Sequence, residues 1–287
     1  MIRRPAHAGT FYAGTLYKLR EQVDNCFKHE LGPGRIPIVS RENCKNIVSL
    51  ICPHAGYIYS GPIAAHAYDK LAKDGKPDTV VIIGPNHTGY GSGVSIATSG
   101  VWQTPLGDVE IDSELAHQIC KNSEHADIDD LGHRFEHSIE VQLPFLQYLY
   151  DINFKLVPIS VMMQNIEVSR DLGKAVANAI LGKNVIMIAS TDLTHYQNST
   201  HAWRNDKKII DAILGLDENA VYDNVREYDI SMCGYGPVSV VLIASKFLEA
   251  SNAQLLKYAT SGDITGDHSH VVGYASFSIT RNTLNLN

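Results

Sequence analysis

Four short apolar runs recur along the chain, at Asn46–Cys52 (NIVSLIC), Thr79–Ile83 (TVVII), Phe154–Ile159 (FKLVPI) and Val185–Ala189 (VIMIA). Each is apolar on both faces of an extended chain, which is the pattern of central strands covered by helices on either side. Apolar positions recur at helical spacing over Gly61–Leu71, Asp112–Lys121, Ser138–Tyr150, Ser169–Leu181, Trp203–Leu214 and Pro237–Glu249. Asp112 and Ser169 are placed to cap two of these helices. Two closing segments, Gln254–Thr260 and Val271–Thr280, are joined by the polar loop SGDITGDHSH, short enough to make them antiparallel neighbours. The pattern predicts an α/β fold with a mostly parallel, mixed central sheet in three layers. Leu31–Arg41 is Pro/Gly-rich but sits too near the N-terminus to divide the chain, and no internal repeat is evident, so residues 1–287 are expected to form one domain.

Composition narrows the function classes. A hydrophobic fraction of 44% and a charged fraction of 19% are those of an ordinary globular protein. The net charge of −7, without a concentrated basic stretch, argues against a nucleic-acid partner and against a membrane surface. The first residues, MIRRPAHAGTFYAG, lack the continuous apolar segment of a signal peptide, and no run approaches the ~20 apolar residues of a membrane span. A cytoplasmic location is expected. Five scattered cysteines (Cys26, Cys44, Cys52, Cys120, Cys233) form no CxxC pair, which excludes a zinc ribbon and points to a reducing compartment.

In an open α/β sheet, ligands bind beyond the carboxyl ends of the strands. The first apolar run leads directly into Pro53-His54-Ala55-Gly56-Tyr57, the second into Gly84-Pro85-Asn86-His87, and the last into Ser190-Thr191-Asp192-Leu193-Thr194-His195. A lone histidine at a strand end is usually a hydrogen-bonded structural residue. Here His54, His87 and Asp192 all arrive at one edge, two imidazoles and a carboxylate on separate strands, the ligand set with which non-haem iron enzymes hold one face of their metal. The same donors suit zinc, copper or manganese. Cys233, in Met232-Cys233-Gly234-Tyr235-Gly236-Pro237, precedes a predicted helix whose N-terminal dipole would favour thiolate, and its flanking glycines permit close backbone approach.

Weaker signals accompany these. In His133-Arg134-Phe135-Glu136-His137-Ser138-Ile139-Glu140, a helix starting this early would place His133 and His137, or Glu136 and Glu140, one turn apart, as metal ligands or as a solvated acidic first turn. The Gly89–Gly93 run lacks GxGxxG spacing, and no P-loop or GxSxG elbow is present. Asp263, Asp267 and His268 share a polar loop that could hold a cation or simply turn the chain.

Taken together, PHAGYIYSG (53–61), GPNH (84–87), EHSIEVQLPFLQ (136–147), STDLTHY (190–196) and CGYGP (233–237), with HAGTFY (7–12), resemble the Memo family in order and across nearly the whole chain. The resemblance implies a LigB-like, phosphorylase/hydrolase-like three-layer fold, similar to that of the class III extradiol dioxygenases. It implies metal-associated residues at His54, His87, Asp192 and Cys233, with His137, Glu140 and His195 bordering the pocket. Animal members are described as phosphotyrosine-peptide binders in cell motility and as iron- or copper-binding redox proteins. A thiol among the donors sets the family apart from the true dioxygenases and favours Cu(I), Zn(II) or redox use over oxygen activation.

Three functions fit these residues. The first is an oxidoreductase holding Fe(II) or copper, with zinc as a further candidate, in which His195 and Cys233 take catalytic parts. A second is a hydrolase or transferase with Cys233 as nucleophile and His54 or His87 as base. The third is a binding module for a small molecule or peptide that keeps the enzyme-like pocket without the enzyme's activity. Any of the three is compatible with a homo-oligomer.

Overall fold

The computed structural model describes residues 2–281. Its strands are β1 (Ile2–Arg3), β2 (Ile47–Cys52), β3 (Thr79–Pro85), β4 (Val94–Ile96), β5 (Val101–Thr104), β6 (Gly107–Glu110), β7 (Asp127–Ile128), β8 (Lys155–Val161), β9 (Val185–Ser190), β10 (His195–Gln197), β11 (Ala250–Thr260) and β12 (Val271–Arg281). The four apolar runs become β2, β3, β8 and β9, which lie side by side in parallel in the order β2-β9-β3-β8. Antiparallel strands flank them: β12 pairs with β2, and β11 and β10 pair with β12, while β4 pairs with β8 and carries β7 at the far edge. The sheet is therefore mixed, with a parallel centre, as the hydrophobic pattern predicts. A separate small sheet joins β1, β5 and β6.

The helices are α1 (Leu16–Lys28), α2 (Tyr57–Asp74), α3 (Ser113–Asn122), α4 (Leu143–Tyr150), α5 (Ile166–Ile180), α6 (Ser199–Leu214), α7 (Glu218–Glu227), α8 (Tyr235–Phe247) and the short α9 (Gly262–Thr265). Successive side chains of a strand point to opposite faces. In β2, Ser49 Oγ lies 2.8 Å from Ser245 Oγ of α8, whereas Cys52 is hydrogen-bonded to Tyr68 of α2. These two helices consequently cover opposite faces, giving three layers. α1 and α4 pack beside α2, and α5 and α7 beside α8.

Two sequence expectations are corrected. Ser169 does not cap α5. The cap is Asn165, whose side chain accepts the Val168 N–H at 2.8 Å, and Ser169 is buried one turn inside with its hydroxyl on Tyr222. Nor does a helix run from Ser138: residues 140–142 make a single 3₁₀ turn before α4 begins at Leu143. The Ser138 and Gln142 side chains are instead drawn to the strand ends, onto the Pro85 and Pro53 carbonyls. Asp112 caps α3 as expected, accepting the Leu115 N–H at 3.1 Å. Among the described residues no helix is long and apolar enough to cross a membrane.

Candidate metal centre

The carboxyl ends of β2 and β9 are laced to one another, and that of β3 to β8. The Thr191 N–H donates to the Cys52 carbonyl at 2.9 Å, and the His54 N–H donates to Asp192 Oδ1 at 2.8 Å. Beyond β3, the Asn86 N–H donates to Val161 O, and the Asn86 side chain accepts from the Thr88 and Gly89 N–H groups. This Asx turn fixes the direction in which His87 leaves the sheet. Cys233 arrives from the turn before α8, where the Gly234 N–H donates to Thr191 Oγ1 and Gln164 donates to the Cys233 carbonyl. A Cβ on Gly234 would lie 2.6 Å from the Ser190 carbonyl oxygen, so this approach requires glycine.

Three histidines meet above these strand ends. Ligand nitrogens of His54, His87 and His137 lie within 4.8 Å of one another. Their ring centroids are 5.2 Å (His54 to His87), 5.3 Å (His54 to His137) and 4.6 Å (His87 to His137) apart. His54 is buried at the floor, His137 is partly covered, and His87 opens to solvent. Cys233 Sγ lies 3.2 Å from His54 Nε2 and accepts the Asp192 N–H, also at 3.2 Å.

Hydrogen bonding sets the imidazole tautomers. The Ser190 hydroxyl spends its proton on the Ser138 carbonyl at 2.6 Å, so its 2.9 Å contact with His54 is a bond from the Nδ1–H of the ring. His87 Nδ1 lies 2.9 Å from Glu136 Oε1, a carboxylate that only accepts. In both rings the proton sits on Nδ1, and Nε2 is left with a lone pair. His195 is held the same way, through Nδ1 on the Ser231 carbonyl at 2.7 Å.

The protonation states follow from burial. Burial, reinforced by the neighbouring imidazoles, holds His54 well below the usual histidine range. Burial likewise lowers His137, to about 4, against the pull of Glu136. Asp192 is pushed up by burial, opposed by the His54 N–H. Burial, with the Asp192 carboxylate adding to it, raises the Cys233 thiol, so the expected thiolate at a helix N-terminus does not form in the free protein. His54 and His137 are thereby neutral nitrogen donors, and Cys233 beside them keeps its proton, a combination suited to receiving a cation.

The structure thus brings His54 and His87 together with His137, and sets Cys233 Sγ and the Asp192 carboxylate against His54, on its Nε2 and its backbone N–H. Glu140 lies elsewhere: it is fully buried, and its oxygens accept from Ala6 N, His7 N and Tyr12 Oη at 2.6–2.9 Å and pair with Arg3. This network ties down the N-terminal segment, and the assignment of Glu140 to the pocket is corrected accordingly. His133 is also buried, edge-on to Trp102. With residues 134–139 outside any helix, the helical pairings of His133 with His137 and of Glu136 with Glu140 do not arise. Asp263 and Asp267 spend their carboxylates on Thr260 and Ser269 in local turns. Sequence reasoning missed the rim. His7 and Phe11 from HAGTFY pack against the His137 ring at 5.4 and 4.5 Å, and only the family resemblance had drawn attention to that segment.

Comparison with known proteins shows the family and the fold. Residues 3–278 match the family model described as "Memo-like protein". A MEMO1 family protein of Methanothermobacter thermautotrophicus is 52% identical over 280 residues, covering 97% of this chain and all of that one. A MEMO1 family protein of Methanopyrus kandleri is 48% identical over 283 residues, covering 98% of this chain and all of that one. An uncharacterized protein of Escherichia coli K12 shares the fold, with a TM-score of 0.56 at 14% identity over 81% of this chain and 99% of that one. The chain belongs to the Memo-like family.

Proposed function

We propose that the protein holds a redox-active metal ion, iron or copper with zinc as an alternative occupant, and uses it as an oxidoreductase on a small molecule. His54, His87 and His137 would be the principal ligands, with Cys233 and Asp192 as further donors. The observation that carries this reading is the common tautomer of His54 and His87, each anchored through Nδ1 with Nε2 presented to the cluster. The spacing also fits: ligands around a tetrahedral metal stand roughly 3.5 Å apart for a nitrogen and a sulfur, given bond lengths of about 2.0 and 2.3 Å. Cys233 Sγ and His54 Nε2 are 3.2 Å apart.

When bound, such an ion supplies Lewis acidity and electron transfer. The chain supplies the rest. His195, its Nδ1 proton held by Ser231, is free to accept or return a substrate proton at Nε2. Phe11 and His7 shield the cluster on the His137 side. A cytoplasmic, reducing location suits five cysteines that are all thiols. The partner we propose is a small molecule, with a peptide ligand as the alternative if no turnover is found.

One observation favours a second reading: the 3.2 Å contact between Cys233 and His54 is that of a nucleophile and its base. The raised thiol and lowered imidazole weigh against it.

Metal analysis by mass spectrometry of protein purified without chelator separates these readings, run in parallel on wild type, His54→Ala, His87→Ala and Cys233→Ala. Near one equivalent of iron, copper or zinc in wild type, lost in the variants, supports the metal centre. No metal even after reconstitution rejects it, and alkylation of Cys233 faster than of the other four cysteines would then favour the thiol reading.

A further inference from the structure

The two best-anchored histidines rest on unlike acceptors. Under His54 the acceptor is a neutral hydroxyl, Ser190 Oγ, and under His87 it is the carboxylate of Glu136. Glu136 is 1% exposed, and its ion-pair contacts are with imidazoles, His87 Nδ1 at 2.9 Å and His137 Nδ1 at 3.3 Å. Its remaining contacts are backbone N–H groups: His87 N at 2.5 Å, and His137 N and Ser138 N at 2.9 Å. Burying a carboxylate is costly unless donors surround it. All of these donors belong to the two histidines or to the residue after them. A group needed only to tie the two loops together could be an amide or a hydroxyl. A full carboxylate, which cannot donate, is what forces the His87 proton onto Nδ1.

We propose that Glu136 is the positioning residue of the cluster. It fixes His87 with the proton on Nδ1, stacks the His87 ring against His137, and so presents His87 Nε2 to a cation. The last consequence rests on the metal-binding reading above; the tautomer and ring orientation do not.

Two measurements on wild type, Glu136→Gln and Glu136→Asp test this. Long-range ¹⁵N–¹H correlation on histidine-labelled, metal-free protein reads the His87 tautomer directly, and zinc titration against a chromophoric chelator reads affinity. A glutamine with its oxygen at the Oε1 position turns its NH₂ toward the His87 backbone N–H, and with its oxygen at the Oε2 position turns its NH₂ toward His87 Nδ1, so neither pose reproduces the clamp and the second favours the other tautomer. We expect wild type to carry the proton on Nδ1, and the Gln variant to lose that single tautomer and bind zinc about 10–100-fold more weakly. The Asp variant should recover part of both. A wild-type His87 protonated on Nε2 overturns the proposal, even if the variants fail to fold. A folded Gln variant with an unchanged tautomer and zinc affinity within twofold also overturns it. A tautomer that shifts in the Gln variant while wild type takes up no zinc supports Glu136 as the positioning residue and rejects the metal centre instead.

Discussion

Glu136 and Glu140 stand four residues apart on one segment, both are buried, and they serve different regions of the molecule. Glu136 faces the strand ends and accepts only from histidines and neighbouring N–H groups. Glu140 faces the N-terminal segment, where it pairs with Arg3, itself 2% exposed, and accepts from Tyr12 Oη at 2.6 Å. Arg3 also donates to the Glu136 and His133 carbonyls and lies 4.4 Å from the Trp102 ring centroid. The contrast shows what distinguishes a site from an anchor. Around Glu140 the buried carboxylate is met by the opposite charge of Arg3 and by donors of the N-terminal segment. Around Glu136 the charge is spent on orienting imidazoles whose outer nitrogens stay free.

The largest effect should come from the anchor. Glu140→Ala leaves the Arg3 guanidinium buried without its carboxylate, a loss of about 3–5 kcal/mol in urea unfolding, while the folded fraction keeps zinc affinity close to wild type. A fall in zinc affinity as large as that of Glu136→Gln would erase the distinction between the two regions.

Acid should weaken both regions. Burial, with Arg3 nearby, holds His133 down at about 4, and His137 is lowered to about 4 as well. Below the unfolded value of about 6.5 the denatured chain takes up protons that the folded chain refuses, so stability falls as pH drops from about 6.5 to 4. Burial alone would raise Glu136, but its bonds from His87 bring it down to about 2. Its contribution is therefore intact above its unfolded value of about 4.5 and is lost as pH falls toward 2. Replacing His133 with Phe, which keeps an aromatic edge against Trp102, should remove about 3 kcal/mol of the loss between pH 6.5 and 4. Denaturant midpoints measured across that range would check this, and an unaltered pH slope in His133→Phe would assign the acid sensitivity to the site region alone.

The smallest change, Asp112→Ala, lies in neither region. It removes the α3 cap and the bond from Thr79 Oγ1, at a cost of about 1 kcal/mol, and should leave zinc affinity and the acid profile unmoved. A change in either would mean that the two regions are coupled through the sheet.

Much of the fold and part of the site were legible in the sequence, for local reasons. An apolar run flanked by polar residues specifies a buried strand, and the residue after it must emerge at the sheet edge; that placed His54, His87 and Asp192 correctly. Capping is also local, and Asp112 was legible for that reason. The expected helical start at Ser138 failed because Ser138 and Gln142 have partners about 50 and 90 residues earlier in the chain, the Pro85 and Pro53 carbonyls, and these outweigh local helical preference.

The sequence by itself determined which residue types reach the carboxyl edge of the sheet, because strand period and strand length are properties of neighbouring residues. Only the tertiary structure decided which of them act together. Glu140 finds Arg3 from 137 positions away, and Cys233 reaches His54 across 179. The buried surroundings that neutralise His54 and keep Cys233 a thiol exist only once the strands are side by side, because desolvation belongs to the packed environment and not to any residue in it.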